Sequence, residues 1–300
     1  MSTAPWGTVV ASAPIDQEAT VSDETTPVLL GGARTPFVKF NGVFASLRVH
    51  ELGAAAIRGA LERTGVPAEA VDAVILGEVV QAGAGQGPAR QASIAAGLGW
   101  DVPTVTINKL CLSGLTAVID AARLIRTGEA TVVVAGGMES MSNAPHLLRD
   151  SRKPHSLGDL NLEDSLNLDG LQDPFDGKLM GRATDDGNAA RGIPRDRQDA
   201  FAALSHQRAA TAREAGAFDD EIVPVSVPQR RGEPLLVTAD DGIRPDTTVE
   251  ALARLKPVFN RESGTVTAGN ASQLTDGAAA VVVASKAWAL ANGVPWLAEI

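Results

Sequence analysis

From Pro27 onward, two hydrophobic patterns alternate along the chain. Short runs of β-branched and other apolar residues predict strands that a sheet buries on both faces. These runs cover residues 28–30, 71–76, 102–107, 131–135 and 278–284. Between them, apolar residues recur at helical spacing and predict helices over residues 50–63, 89–98 and 112–127. Strand and helix therefore alternate, and this order favours a layered α/β fold.

The helix predicted over residues 112–127 carries one apolar stripe. Its members are Leu112, Leu115, Ile119, Ala122 and Ile125. A stripe at this spacing is typical of the face that a helix turns toward a protein core. We therefore expect these five side chains to be buried.

The middle of the chain has a different character. Residues 143–192 are dense in Asp, Gly, Pro, Ser and Asn and contain only short apolar pieces, which indicates a loop-rich insertion. A helix from about Pro194 to Ala215 follows. Two short segments, 221–227 and 234–238, then have the composition of a small hairpin. A second subdomain is therefore expected inside the first.

Composition excludes several classes of protein. A chain of 300 residues suits one large or two ordinary domains. Its 44% hydrophobic and 21% charged residues are typical of a globular protein, and no apolar run approaches the roughly 20 residues that cross a bilayer. The net charge of -10 repels polyphosphate backbones. Neither a membrane nor a nucleic acid is therefore expected as a partner.

The ends and the cysteine count indicate the compartment. Residues 1–26 lack the basic start and apolar run of a secretory signal, and their Ser, Thr, Ala and Asp content predicts a loose tail. The single cysteine, Cys111, cannot form an internal disulfide. We therefore expect a cytoplasmic protein without a cysteine-based metal site.

Cys111 lies where a predicted strand ends and a predicted helix begins. A helix N-terminus offers unpaired N–H groups and the positive end of a dipole, which stabilise a thiolate and a developing oxyanion. A lone cysteine beside Leu110 and Leu112 is also consistent with a buried structural residue. Position alone leaves both interpretations open.

The sequence around Cys111, together with several other segments, resembles the thiolase family. The matching segments follow the family's order and cover nearly everything after the tail: GARTPF at 32–37, QAG at 81–83, ARQ at 89–91, NKLCLSGL at 108–115, GGMESMS at 136–142, MG at 180–181, GTVTAGNAS at 264–272 and DGAA at 276–279. The resemblance implies that an acyl-CoA or 3-ketoacyl-CoA acylates Cys111. The acyl group would then pass to coenzyme A or to an acetyl-CoA carbanion.

The resemblance also implies a domain plan. Residues 27–142 and 275–296 would form the layered α/β/α N-terminal domain, with an inserted α+β loop domain for coenzyme A at 143–274. Residues 297–300 would open the C-terminal domain, and the rest of that domain would be missing. The family's Gly-His-Pro histidine, Asn-Glu-Ala-Phe asparagine and second cysteine do not occur. We therefore expect low activity from the isolated chain and an exposed apolar patch.

Several residues match family positions beside coenzyme A. Arg244 corresponds to a position near the nucleotide, and the remaining matches are Ser272, Ala268, Leu171 and Met180. Basic side chains elsewhere are further candidates for the CoA phosphates or a solvated surface: Arg149, Arg152, Lys153 and His155 in one cluster, and Arg230 and Arg231 in another. Coenzyme A is expected as a substrate, with no separate cofactor and no metal.

Two other features bear on specificity. Leu179 stands where many short-chain biosynthetic thiolases have histidine, so the resemblance does not single out acetoacetyl-CoA as the substrate. The glycine-rich run 83–88 lacks the spacing of a dinucleotide or P-loop motif. The resemblance places that run in a turn near the active site and the subunit interface.

Two alternatives stay open. The chain could be a non-catalytic CoA-binding or assembly subunit that needs a partner with the C-terminal domain. A ketosynthase-like condensing enzyme would share the fold and the cysteine at a helix start, but the segments 136–142 and 269–272 favour a thiolase. Thiolase-like proteins are usually oligomers, so a homo-oligomer or such a partner is expected.

Overall fold

The structure is a computed structural model that describes residues 24–154 and 157–300. Most of the predicted tail, and His155 of the first basic cluster, lie outside the described residues.

The described residues contain eleven strands and seven α-helices. The strands are β1 (Pro27–Arg34), β2 (Val38–Lys39), β3 (Ala73–Gly77), β4 (Thr104–Ile107), β5 (Val132–Ser140), β6 (His146–Leu147), β7 (Glu163–Asp164), β8 (Val225–Val227), β9 (Leu235–Val237), β10 (Thr275–Ser285) and β11 (Ala298–Glu299). The helices are α1 (Val49–Thr64), α2 (Pro88–Ala96), α3 (Ser113–Arg126), α4 (Met180–Arg191), α5 (Arg195–Glu214), α6 (Val249–Ala253) and α7 (Lys286–Asn292).

Seven strands form the main sheet, in the order β11-β1-β10-β5-β3-β4, with β2 beside β10. The pairs among β1, β10 and β5 are antiparallel, whereas β5, β3 and β4 run parallel. All five strands and all four helices predicted from the sequence are therefore confirmed.

Both faces of the central strands are covered, as the continuous apolar runs predict. On β5, Val132 and Val134 join a core shared with α1 and α2, while Val133 and Ala135 join a smaller core under α3. The alternation follows from the two-residue period of a strand. The layered α/β prediction is confirmed.

The prediction of burial on both faces is wrong for β4. This strand pairs only with β3 and forms one edge of the sheet, so Val105 stays 50% exposed. Periodicity cannot distinguish an edge strand from a central strand, because the edge is defined by the absence of a neighbour.

The predicted stripe on α3 splits in two. Ala122 and Ile125 are buried, but Leu112, Leu115 and Ile119 are 52%, 60% and 39% exposed. The small residues Ala117 and Ala121 face the sheet instead, because they let the helix approach it closely. The prediction that all five side chains are buried is therefore wrong, and α3 is apolar on two opposite faces.

Between β5 and β10 the chain leaves the main sheet. It forms two small two-stranded sheets, β6-β7 and β8-β9, of which the second is the predicted hairpin. The sequence does not predict α4, since its sequence is largely polar. Asp185 on α4 accepts hydrogen bonds from the amides of Thr265 (2.7 Å) and Val266 (2.9 Å), so distant residues hold this helix.

An arginine connects this inserted region to the main sheet. Arg34, at the end of β1, forms a bidentate ion pair with Asp240 (2.7 and 3.0 Å) and a second ion pair with Glu221 (2.8 Å). Its guanidinium also lies over the rings of Phe37 and Phe218. A bidentate pair fixes both distance and orientation, so Arg34 sets where the insertion docks.

Strand β11 forms the edge of the main sheet opposite β4, and it pairs antiparallel with β1.

Among the described residues, no helix has the length and hydropathy that a membrane span requires.

Candidate active site

Cys111 lies in the turn between β4 and α3, and its thiol is free and exposed. The residue before it, Leu110, has a left-handed backbone conformation with a φ of 50°. This conformation costs a non-glycine residue on the order of 1 kcal/mol, and such strain is concentrated at functional sites. The turn therefore has the geometry of a strained nucleophile turn rather than of a buried structural cysteine.

Side-chain hydrogen bonds hold this turn in place. The Ser113 hydroxyl accepts from the amide of Lys109 (2.8 Å) and donates to the carbonyl of Leu110 (2.7 Å). Asn108 accepts from the amide of Leu110 (3.0 Å) and donates to the carbonyl of Val79 (3.2 Å). The segment NKLCLS thus stabilises its own turn, because the side chains of Asn108 and Ser113 bind backbone groups within the segment.

Two glycines permit close packing near the cysteine turn. A Cβ on Gly77, at the end of β3, would lie 2.5 Å from the Cβ of Ser113 at the start of α3. A Cβ on Gly136 of β5 would lie 2.1 Å from the carbonyl oxygen of Ala279 on the neighbouring strand β10. Real Cβ atoms do not approach so closely, so glycine at these positions is a packing requirement.

The N-terminus of α3 is available to an anion. Its N-cap, Leu112, has no side chain that caps the first-turn amides. These amides and the helix dipole favour a thiolate at Cys111 and an oxyanion beside it. Within residues 24–154 and 157–300, no hydrogen bond connects the thiol to an imidazole, a carboxylate or an amine. The described residues thus supply a nucleophile and an electrostatic site, but no base bonded to the thiol.

Two glutamates that sequence reasoning missed lie next to this end of the sheet. Glu139 accepts hydrogen bonds from the amides of Val79 (2.9 Å) and Val80 (3.1 Å), so it holds the segment that follows β3 in place. Burial raises the pKa of Glu139, and those hydrogen bonds lower it only in part. Burial, with the charge of Glu139 as a smaller cause, raises the pKa of Glu78 to about 8.

Glu78 borders a small cavity of about 80 Å3 that Arg48, Ser140 and Asn143 also line. Its side chain is 1% exposed, and neither carboxyl oxygen has a hydrogen-bond partner among the described residues. An acidic residue directly after a buried apolar run was the available signal in the sequence.

The residues matched to coenzyme A belong to neighbouring segments of the insertion. A backbone bridge between Gln172 and Leu179 brings Leu171 and Met180 near each other. The ring of Phe259 packs against Gly181, and Val258 donates its amide to Val266 (3.0 Å). A continuous path of contacts therefore leads from Met180 to the segment that contains Ala268 and Ser272.

Ser272 lines an open cleft of about 630 Å3 between α5 and the segment 269–273. Phe201, Ser205 and His206 of α5 form its opposite wall. The volume is in the range of small-molecule sites. Cys111 is not among the residues that line this cleft or the cavity at Glu78.

Arg244 lies beside this cleft and contacts His206 twice. Its backbone amide donates to Nδ1 of the imidazole (3.2 Å), and its Nη2 lies 3.2 Å from Nε2. In the first basic cluster, by contrast, Arg149 pairs with Glu163 and Lys153 with Asp150. Neighbouring carboxylates thus neutralise two of its cations. Among the described residues, no group of three or more His, Cys, Asp or Glu side chains is placed to hold a metal ion.

Comparison with known proteins identifies the family. Residues 28–287 match the thiolase N-terminal domain. The probable acetyl-CoA acetyltransferase of Mycobacterium tuberculosis is 54% identical over 276 residues, which are 92% of this chain and 70% of that protein. The acetyl-CoA acetyltransferase of Pseudomonas aeruginosa is 51% identical over 91% of this chain and 69% of its own length.

The fold also matches a solved structure. The crystal structure of the Bacillus anthracis acetyl-CoA acetyltransferase superposes with a TM-score of 0.88 at 37% sequence identity. The match covers 92% of this chain and 69% of that one.

Proposed function

The chain belongs to the thiolase family, and on that premise we propose that it transfers acyl groups between the thiol of Cys111 and coenzyme A. The observation that carries the proposal is the exposed thiol in a strained turn at the uncapped N-terminus of α3. The names of the similar proteins support acetyl as the group transferred.

In the first half-reaction the Cys111 thiolate attacks the thioester carbonyl of an acyl-CoA. A carbon–sulfur bond forms to Cys111, the bond to the CoA sulfur breaks, and the CoA thiolate leaves and takes up a proton. With a 3-ketoacyl-CoA, attack at the keto carbon breaks a carbon–carbon bond and releases an acetyl-CoA carbanion, which takes up the proton. First-turn amides of α3 stabilise the oxyanion formed on attack.

In the second half-reaction the acyl group leaves Cys111 for an acceptor. The acceptor is the CoA thiolate in thiolysis or the acetyl-CoA carbanion in synthesis. Both reactions pass through one thioester on one residue, so the kinetics are ping-pong.

We assign coenzyme A to the insertion. Ser272 and Ala268 would contact the pantetheine arm, Leu171 and Met180 would pack on it, and Arg244 would lie at the nucleotide. The path of contacts between these segments and the half-exposed side chain of Met180 (54%) support this assignment. Coenzyme A is then the substrate, and no separate cofactor is required.

We propose that a further α/β unit, or another copy of the chain, covers the outer face of α3. Leu112, Leu115 and Ile119 are exposed there, and a helix that is apolar on opposite sides is usually buried on both. The open edge of β4 offers unpaired backbone groups next to this face.

A cytoplasmic location is proposed as well, because an exposed reactive thiol stays reduced there.

Isotope exchange tests the proposed chemistry. Labelled coenzyme A is mixed with unlabelled acetyl-CoA and the protein, and the label entering acetyl-CoA is followed. Exchange needs only acylation of the enzyme and its reversal, so it requires no second acceptor. We expect slow, protein-dependent exchange that Cys111→Ser reduces by at least about a thousandfold.

The controls separate the alternatives. Cys111→Ser removes the only thiol of the chain while changing one atom, so it is a matched variant. Exchange by this variant at the wild-type rate would contradict the assignment of Cys111. Binding of coenzyme A without any exchange by the wild type would favour a non-catalytic CoA-binding subunit.

A further inference from the structure

A path of hydrogen bonds connects the carboxylate of Glu139 to the cysteine turn. Glu139, near the end of β5, accepts from the amides of Val79 (2.9 Å) and Val80 (3.1 Å), one on each carboxyl oxygen. The carbonyl of Val79 accepts from the side-chain amide of Asn108 (3.2 Å). The side-chain oxygen of Asn108 accepts from the amide of Leu110 (3.0 Å). The path therefore ends on the residue that precedes the reactive thiol.

The end of this path is the strained part of the turn. Leu110 has a left-handed φ of 50°, a conformation that persists only where neighbouring groups hold it. Ser113 binds its carbonyl (2.7 Å), and Asn108 binds its amide. Among the described residues, the side chain of Asn108 hydrogen bonds only to Leu110 and Val79. The position of Val79 therefore determines where Asn108 can hold Leu110.

Glu139 fixes the position of Val79 from a costly environment. Burial raises the pKa of its carboxyl group, the two backbone hydrogen bonds lower it in part, and the charge of Asp276 raises it further. Charge-assisted hydrogen bonds are short and strong, so a carboxylate restrains Val79 more tightly than a neutral side chain would. The carboxyl end of β5 is thereby tied to the chain that leaves β3.

We propose that Glu139 is a positioning residue for Cys111, and that it acts through Val79 and Asn108. Its carboxylate fixes Val79, the carbonyl of Val79 orients Asn108, and Asn108 holds Leu110 in the conformation that places the thiol at the start of α3. The inference rests on the proposed function, since it takes Cys111 as the nucleophile.

The test is the rate at which iodoacetamide alkylates Cys111, measured between about pH 6 and pH 10 in the wild type and in Glu139→Gln. The chain has a single cysteine, so the signal comes from one thiol. Gln has the shape of Glu, but one of its polar atoms is an NH2 donor, which would face a backbone N–H instead of accepting from it. Alkylation requires no coenzyme A, so this test is independent of acyl transfer.

We expect Glu139→Gln to lower the alkylation rate about threefold to tenfold near neutral pH, since a relaxed turn moves the thiol away from the helix N-terminus that favours its thiolate. The two rates should converge toward about pH 10, where an exposed thiol ionises without help. A change in the exposure of the thiol would instead alter the rate by one factor at every pH. The pH profile therefore separates positioning from a general structural effect.

A second variant provides the test even if Glu139→Gln does not fold. Glu139→Asp keeps the charge but withdraws the carboxylate by one methylene group, so the contacts with Val79 and Val80 lengthen. It should change the pH profile of alkylation in the same direction as Glu139→Gln.

Asp72 offers a matched control at the opposite end of the same two strands. It precedes β3 and accepts from the amides of Thr131 (2.7 Å) and Val132 (3.0 Å) at the start of β5. Asp72→Asn therefore weakens a comparable contact between β3 and β5 at the end of the sheet away from the cysteine turn. It should leave the alkylation profile of Cys111 like that of the wild type.

A double-mutant cycle tests the route through Asn108. Asn108→Ala removes both the donor to Val79 and the acceptor for Leu110, and it changes an exposed side chain rather than the core. Alone, it should lower the alkylation rate near neutral pH at least as much as Glu139→Gln does. In the Asn108→Ala background, Glu139→Gln should change the rate by less than about twofold, because the path is already broken.

Three results would overturn the inference. One is a wild-type alkylation profile in both Glu139→Gln and Glu139→Asp, and another is an equal change in Asp72→Asn. The third is a full additional effect of Glu139→Gln in the Asn108→Ala background. Absence of acetyl exchange in a wild type that gives the expected alkylation profiles would instead contradict the proposed function and leave the positioning of the thiol intact.

Discussion

At the scale of single residues, the carboxyl group of Glu78 is in an energetically costly environment. Its side chain is 1% exposed, and its oxygens lack hydrogen-bond partners among the described residues. Burial raises its pKa from 4.5 to about 8. The folded state therefore holds this proton more tightly than the unfolded chain. The contribution of this proton to the free energy of unfolding is fully present below about pH 4.5, and it is lost as the pH rises toward 8.

Glu78→Gln should remove this pH dependence, because the amide has the shape of the protonated acid and cannot ionise. We expect the variant and the wild type to be about equally stable at pH 5. At pH 8 we expect the variant to be more stable by on the order of 2 kcal/mol. Urea unfolding at both pH values measures the difference. Glu62→Gln, at an exposed position on α1, is the control and should show no such trend; a parallel trend there would contradict the account.

At the scale of elements, Gly77 determines how closely α3 approaches the sheet, and its partner Gly137 does not. Gly77 on β3 and Gly137 on β5 are partners in the parallel register. A Cβ on Gly77 would lie 2.5 Å from the Cβ of Ser113, whereas a Cβ on Gly137 would have its nearest neighbour at 3.5 Å. The same substitution should therefore have different effects on two adjacent strands.

Gly77→Ala should destabilise the fold by about 1–3 kcal/mol, since the start of α3 must move away from β3. It should also change the rate at which iodoacetamide alkylates Cys111, because Ser113 holds the cysteine turn. Gly137→Ala should leave both quantities close to those of the wild type. Equal effects of the two substitutions in unfolding and alkylation experiments would show that the packing of α3 has been misinterpreted.

The sequence predicts most elements but not their surroundings. Apolar runs predict the central strands, and helical spacing predicts α3 over residues 112–127, within a residue of its observed ends. The spacing could not tell which face of α3 meets the sheet, because both faces are apolar. The spacing does not predict α4, because distant residues hold this helix. Asp185 on α4 accepts hydrogen bonds from the amides of Thr265 and Val266, which lie about 80 residues further along the sequence. Cys111 was predictable from its motif, but the burial of Glu78 and the contact of His206 with Arg244 depend on tertiary structure.

At the scale of the whole molecule, the outer face of α3 is the feature that most needs a partner. Leu112, Leu115 and Ile119 are neighbours on one side of the helix, and they are exposed together. Exposed apolar residues that occur singly are ordinary, but a contiguous patch marks an interface. The motif around Cys111 and the exposed patch on α3 thus point to one surface beside the cysteine turn.

The double substitution Leu115→Glu and Ile119→Glu should keep the fold, since neither side chain belongs to a core. It should lower self-association, or association with a co-purified partner, in sedimentation experiments. Leu290→Glu on α7 is the matched control, because Leu290 is a helical leucine that is 56% exposed. Loss of association in the control to the same extent would indicate a general effect of charge rather than an interface on α3.

The central claim is that Cys111 accepts the acyl group, and the intact mass of the protein after incubation with acetyl-CoA or acetoacetyl-CoA tests it most directly. We predict an increase by one acetyl group, located at Cys111 by peptide mapping and absent from Cys111→Ser. An acetyl group on another residue, or the same adduct in Cys111→Ser, would contradict the claim.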